Sequence, residues 1–310
     1  MVGSQPRVPT RGLIGGRAGG VGPAAYGEGM TPALSPSRAA DFKQCPLLYR
    51  FRTVDKLEGP PSPAAARGTL VHSVLEHVCE LPAAERTVDA AVRLLPQRWS
   101  ALAEERPELV EMIEASDDLD DVTWLEDAAE LVERWFELED PQRLEPAERE
   151  LYVETEIEGL TLRGIVDRLD VAADGAMRVV DYKTGRSPRE GFEAKALFQM
   201  KFYALVLWRL RGEIPKVLQL VYLGDRQVVR YVPDEQDLRG MERNVKAVWA
   251  AVQRAAETGD WRPSRSRLCG WCDFRDLCPE FGGTPPPLPE GAALLALRPE
   301  ASGQVVVGDD

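Results

Sequence analysis

The spacing of apolar residues changes period midway along the chain. Leu70, Val71, Val74, Leu75 and Val78 recur at three- and four-residue intervals, which predicts a helix over 66–81. Upstream, 38–52 reads as a short basic amphipathic helix containing Cys45, with Ser35 or Ser37 as cap and Pro36 at an early helical position. From 83 to about 140 come several acidic helices whose buried faces fall to Trp99, Trp124, Trp135 and Phe136. Residues 151–157 then alternate apolar side chains with glutamate, the period of a half-exposed strand. Strands over 162–171 and 177–182 follow, joined by a turn at Ala173-Asp174-Gly175. A helix over 192–211, strands over 217–223 and 227–232, and a helix over 235–258 complete the order. That order implies a mixed α/β core with helical insertions.

The flanks carry no such period. Residues 1–34 are rich in Gly, Pro, Ala and Arg and read as a flexible leader, and 282–310 as a Pro/Gly tail, leaving a folded domain over 35–281. No apolar run approaches the roughly 20 residues that span a bilayer. The N-terminus lacks the apolar segment of a secretory signal, so a cytoplasmic protein without membrane association is expected. In that reducing setting the five cysteines point to metal ligands or core residues rather than disulfides. The net charge of −13 speaks against nonspecific coating of nucleic acid, which Lys and Arg drive. The charge is uneven, however. Residues 104–158 hold 22 acidic and 4 basic side chains, and the remainder of the chain is +5.

The chemistry concentrates in two strand segments, Gly164-Ile165-Val166-Asp167-Arg168-Leu169-Asp170 and Val179-Val180-Asp181-Tyr182-Lys183-Thr184-Gly185. Asp167 lies on one strand and Asp181 near the end of its hairpin partner. Adjacent strands sit about 5 Å apart, so carboxylates on one face can share a divalent cation. Lys183, two residues past Asp181, leaves the strand on the same face. Two carboxylates and an ammonium suit metal-dependent phosphodiester hydrolysis, although a solvated cross-strand ion pair has the same spacing. His72 lies one helical turn beyond Gly68, and Gln199 and Tyr203, four residues apart, project together from the helix after the sheet.

Cys269, Cys272 and Cys278 form a C-x2-C-x5-C knuckle that suggests metal ligation. Of the two remaining cysteines, Cys79 follows Val78 on an apolar helix and reads as a core residue. Cys45, ahead of Pro46 and away from an apolar stripe, is the better fourth ligand. Zinc and a [4Fe–4S] cluster stay open on the residues alone.

Gly68–His72, Gly164–Asp167, Asp181-Tyr182-Lys183 and Gln199-x3-Tyr203, taken together, resemble the RecB-like branch of the PD-(D/E)XK nucleases. Cys45 with Cys269, Cys272 and Cys278 is similar to the split iron–sulfur cluster of AddB-type and CRISPR-associated members. The resemblance runs from about 34 to 281 and implies a restriction-endonuclease-like mixed sheet flanked by helices, with an acidic helical insertion over about 83–140. It implies Mg2+ or Mn2+ held by His72, Asp167, Asp181 and the carbonyl of Tyr182, with Lys183 catalytic and Gln199 and Tyr203 positioning DNA or the lysine. It favours [4Fe–4S] over structural zinc on the four cysteines.

The function implied is a DNA exonuclease in repair or recombination. The chain has no G-x4-G-K-[ST] loop. Single-stranded or frayed-end DNA is therefore the expected substrate, and a helicase or repair partner would do any unwinding. The other reading is a non-catalytic nucleic-acid-binding or assembly subunit of a repair or CRISPR adaptation complex. Arg38, Lys43, Arg50 and Arg52 on one flank, with Arg262, Arg265 and Arg267 beside the knuckle, are expected to line the DNA path.

Overall fold

Serine followed by proline opens two of the helices. Ser35 and Ser62 accept hydrogen bonds from the backbone N–H of Arg38 and Ala65, and Pro36 and Pro63 supply the first helical φ. In the computed structural model, which describes residues 32–115, 121–188 and 194–297, these caps begin α1 (Pro36–Gln44) and α3 (Pro63–Val78). The single helix expected over 38–52 is broken. Cys45 is extended, at φ −164°, because the residue before a proline is pushed out of the helical region, and α2 (Pro46–Tyr49) starts anew at Pro46.

The acidic segment folds as helices α4 (Val88–Glu105), α5 (Glu108–Glu114) and α6 (Asp121–Leu138), and its aromatic residues are where the pattern puts them. Trp124 and Trp135 are fully buried, and Trp99 packs on Trp124 with ring centroids 4.6 Å apart. The sheet follows with β2 (Glu148–Ile157), β3 (Leu160–Val171) and β4 (Met177–Lys183). After α7 (Ala194–Arg211) come β5 (Val217–Tyr222) and β6 (Gln227–Tyr231). The helix α8 (Glu235–Thr258) is opened by a reciprocal Asp234–Asp237 cap and ended by Gly259 at φ +68°.

A two-residue strand, β1 (Ala33–Leu34), lies parallel to β3, so the described sheet has six strands in the order β1-β3-β4-β5-β6, with β2 also on β3. The β2–β3, β3–β4 and β5–β6 pairs are antiparallel and β4–β5 is parallel. This is a mixed sheet flanked by helices, the restriction-endonuclease-like architecture expected. Both β1 and a C-terminal helix, α9 (Ala292–Leu297), fall outside 35–281. Tyr49 and Arg38 both donate to the carbonyl of Ala296, at 2.6 and 3.3 Å, which ties α9 to the body. Residues 282–291 of the expected tail are also described, with Arg50 donating to the Pro286 carbonyl, whereas 1–31 and 298–310 lie outside the described residues.

Side-chain alternation divides the interior in two. Val179, Leu218, Leu220 and Tyr222 face a core built with α1, α2, α7 and α8. Val180, Tyr182, Val221 and Leu223 face a second core built with α3, α4 and α6. The strands therefore deliver residues to two helical layers, and the site described next forms where α3 and α7 meet the end of β4 from either side. No described helix is long and apolar enough to cross a membrane.

Candidate active site

The β2–β3 register places Arg149 opposite Arg168 and Leu151 opposite Val166, so Glu150 stands level with Asp167. The β3–β4 register places Arg168 opposite Val180, so Asp167 stands level with Asp181. Three carboxylates therefore lie in one row across three neighbouring strands. The row is also where the sheet departs from regular pleating. Val166 and Leu169, three residues apart, pack into the same core, a slip in the two-residue alternation. Glu150, beside the slip, has φ +42°, a left-handed conformation that is strained for glutamate. The β3–β4 ladder ends at Arg168–Val180, and the next N–H, that of Tyr182, donates to Asp167 Oδ2 at 2.7 Å.

From one side of this opening, α3 contributes His72, whose Nε2 is 3.1 Å from the Tyr182 carbonyl and whose Nδ1 is 3.6 Å from Asp167 Oδ2. Ligand atoms of His72, Glu150 and Asp167 all lie within 4.8 Å of one another. Burial and the neighbouring Asp181 carboxylate push Asp167 up to about 7, outweighing the favourable charges of His72 and Lys183. Burial also raises Glu150. Asp181 is 2% exposed, and its Oδ2 accepts no hydrogen bond, although Lys183 Nζ lies 3.1 Å away as an ion pair. A crowded set of oxygens with one imidazole and one unsatisfied buried carboxylate oxygen matches the preference of a hard divalent cation.

The other side belongs to α7. Lys183 Nζ donates to Gln199 Oε1 at 3.1 Å, and Gln199 Nε2 donates to the Tyr203 hydroxyl oxygen at 3.0 Å. The i, i+4 pair thus holds the ammonium end of Lys183. Gly164 explains the fit of the tyrosine. A Cβ at that position would lie 2.6 Å from Tyr203 Cε1, so the ring occupies the space left by the missing side chain.

Beneath the row sits a buried polar network that the sequence did not announce. Arg168, 1% exposed, is paired through Nη1 and Nη2 with both oxygens of Glu139 at 2.8 and 2.7 Å and through Nε with Asp170 at 3.1 Å. The Tyr182 hydroxyl donates to Glu139 at 3.1 Å, and Trp135 Nε1 and Gln219 Nε2 donate to the same carboxylate at 2.8 and 3.2 Å. Glu139 follows the last turn of α6, so the acidic insertion is fastened to the residue whose backbone serves the site.

The four cysteines also converge. Cys45, Cys269, Cys272 and Cys278 line one cavity with Leu47, Leu48, Phe51 and Phe274, whereas Cys79 is buried in the other core. The N–H groups of Ser264 and Ser266 donate to the sulfurs of Cys45 and Cys269, each at 3.3 Å. The basic flank divides differently from expectation. Arg38 is 4% exposed and donates to Ala33, Tyr49 and Ala296, and Arg50 is 7% exposed and paired with Asp55 at 3.0 Å. Both are structural and do not line a surface path. Lys43 lies 4.0 Å from the Phe198 ring, and the exposed Arg52 pairs with Asp41 at 2.8 Å. Arg262 pairs with Asp260 at 2.8 Å, while Arg265 and Arg267 are exposed beside the knuckle.

Comparison with known proteins agrees with this architecture. The chain is 24% identical to the Gene 69 protein of Mycobacterium phage L5 over 296 residues, covering 81% of this chain and 98% of the relative. It is 29% identical to the Gene 69 protein of Mycobacterium phage D29 over 276 residues, covering 81% and 97%. A crystal structure of a Eubacterium rectale protein, provisionally described as an exonuclease, superimposes with a TM-score of 0.50 at 15% identity, covering 78% of this chain and 87% of that one, and shows a shared fold. The model of the PD-(D/E)XK nuclease superfamily matches residues 33–279. The chain belongs to the PD-(D/E)XK nuclease superfamily.

Proposed function

We propose that this chain is a Mg2+- or Mn2+-dependent deoxyribonuclease of the RecB-like branch, an exonuclease that degrades single-stranded or frayed-end DNA during repair or recombination in the cytoplasm. The observation that carries the reading is Lys183, held by Gln199 beside a row of three carboxylates. His72, Asp167, Asp181 and the carbonyl of Tyr182 would hold the cation, and Glu150 joins them as a further oxygen donor. The cation supplies a water of lowered pKa and offsets charge that develops on the phosphate.

The chain's own groups do the rest. Lys183 presents its ammonium to a non-bridging phosphate oxygen, where a fixed positive charge counts most in the transition state. Gln199 and Tyr203 restrict its rotation. Asp167, with its raised affinity for a proton, gives that proton up as the site fills. The absence of a G-x4-G-K-[ST] loop supports a helicase or repair partner for any unwinding.

For the four-cysteine cavity the proposal is a [4Fe–4S] cluster, with structural zinc as the alternative. Amide donors on two of the sulfurs suit thiolate ligands of either kind. Anaerobically purified protein should be brown, absorb at about 400 nm and contain about four irons per chain. Colourless protein with stoichiometric zinc would favour the alternative. For the reaction, labelled linear strands should be degraded with Mg2+ or Mn2+ and spared in EDTA, and circular single strands should survive. Cleavage of circles as fast as linear strands would exclude the exonuclease mode.

A further inference from the structure

The turn that carries two of the four cysteines also displays an aromatic ring to solvent. Residues Arg267–Trp271 form a short 3-10 helix, in which side chains three apart eclipse, so Leu268 and Trp271 share one side. They are 48% and 79% exposed. Cys269 and Cys272 line the cavity beneath, which Leu268 also borders and Trp271 does not. The turn is anchored. Ser266 Oγ accepts from the Leu268 N–H at 3.2 Å, and Phe274 is buried against Phe51 with centroids 5.4 Å apart. An exposed indole on a fixed support loses little conformational freedom when something stacks on it.

The surroundings identify what that is. Arg262, Arg265, Arg267 and Arg275 are exposed within 260–280 alongside the exposed Asp260, Asp273, Asp276 and Glu280. The segment is therefore neutral in a chain whose net charge is −13, and Arg262 is taken up by Asp260. Among the described residues Arg265, Arg267 and Arg275 form no ion pair, and the guanidinium groups of Arg265 and Arg275 lie over the Phe281 ring at 5.3 and 4.5 Å. The apolar area amounts to two side chains rimmed by arginines. A stable protein interface needs roughly 800 Å2 per partner with a core depleted of charge. A planar ring beside phosphate-binding groups is instead the arrangement that holds single strands, with bases stacked and backbone neutralised.

We propose that Trp271 is a base-stacking contact for single-stranded DNA, with Arg265 and Arg267 on the adjoining phosphates. This inference rests on the nuclease reading above and adds a binding surface to it. It is tested in the full-length protein carrying Asp181→Ala to prevent cleavage, by anisotropy of a short labelled strand in Mg2+. Adding Trp271→Ala should weaken binding about 10-fold or more, and Trp271→Phe should retain most of the affinity. A strand of the same length with abasic sites should bind equally to proteins with and without Trp271→Ala. Unchanged affinity for the normal strand overturns the proposal, as does an equal loss on the abasic strand. A change of oligomeric state in Trp271→Ala, with DNA affinity unaffected, would assign the face to a second copy and overturn it as well. Cleavage by the wild-type protein, assayed in parallel, separates the two claims. If wild type cleaves and Trp271→Ala binds normally, the stacking contact alone is lost.

Discussion

At the scale of single residues the site is held by charge in a confined space, and its response to pH follows. Asp167 moves from an ordinary 3.8 to about 7 in the folded protein because burial and Asp181 disfavour its charged form. A raised carboxylate means that the native state holds a proton the unfolded chain has released. The stability this brings is full below about pH 4 and is lost as pH climbs through about 7. Metal-free protein should therefore melt at progressively lower temperature from about pH 5 to pH 8, and Asp167→Asn should flatten that slope. An unchanged slope in the variant would remove Asp167 as its source. Divalent cation should restore the melting temperature most at the alkaline end, where binding need not displace a proton.

Lys183→Ala should slow cleavage about 100-fold or more. In metal-free protein it should also lower the melting temperature, because it strands the buried Asp181 carboxylate. Most of these residues were legible because local spacing fixes them. Asp181 and Lys183 sit two apart on a strand, and Gln199 and Tyr203 four apart on a helix. Glu150 was not legible. It is one of several glutamates in an acidic strand, and only its backbone at φ +42° and its register opposite Asp167 distinguish it.

At the scale of elements the site depends on how α6, α7 and the sheet are fastened together. Removing one partner of the buried Arg168–Glu139 pair strands the other, which typically costs about 3–5 kcal/mol. Arg168→Met should lower urea stability by roughly that amount. Adding Glu139→Leu should return a good part of it, and a double variant no more stable than the single one would contradict the account. Gly164→Ala should instead act on catalysis. Its methyl meets the Tyr203 ring, so the hydroxyl is displaced from Gln199, and cleavage should fall further than stability.

The long amphipathic helices and the alternating strands were readable from period alone. The break at Cys45 has its signal in Pro46, whose constraint on the preceding residue outweighs the apolar spacing that runs across it. The strand β1 left no pattern, because two residues cannot establish a period. The Arg168 network was hidden for another reason: Glu139 and Arg168 lie 29 residues apart and meet only through the fold.

At the scale of the molecule the two ends of the chain meet at the cysteine cavity, which joins Cys45 to Cys269, Cys272 and Cys278 across more than 200 residues of sequence. The proposed cluster or zinc, held by all four cysteines, would cross-link so long a loop and restrict the unfolded chain strongly. Cys45→Ser should therefore lower global stability and abolish any brown colour, whereas Cys79→Ser should keep the colour, as read by absorbance and thermal melting. Charge was the least legible property at this scale. The total of −13 hides an acidic insertion beside a mildly basic remainder, and counting arginines along the sequence could not tell Arg38 and Arg50, buried in hydrogen bonds, from the exposed Arg265 and Arg267.

What unites the three scales is the claim that the carboxylate row and Lys183 cut phosphodiester bonds. The most direct test is to incubate labelled single-stranded DNA with wild-type and Asp181→Ala protein in Mg2+ or Mn2+. Rapid degradation by wild type, reduced at least about 100-fold in the variant, is the expected result. Equal rates in the two proteins, or no metal-dependent cleavage in either, would contradict it.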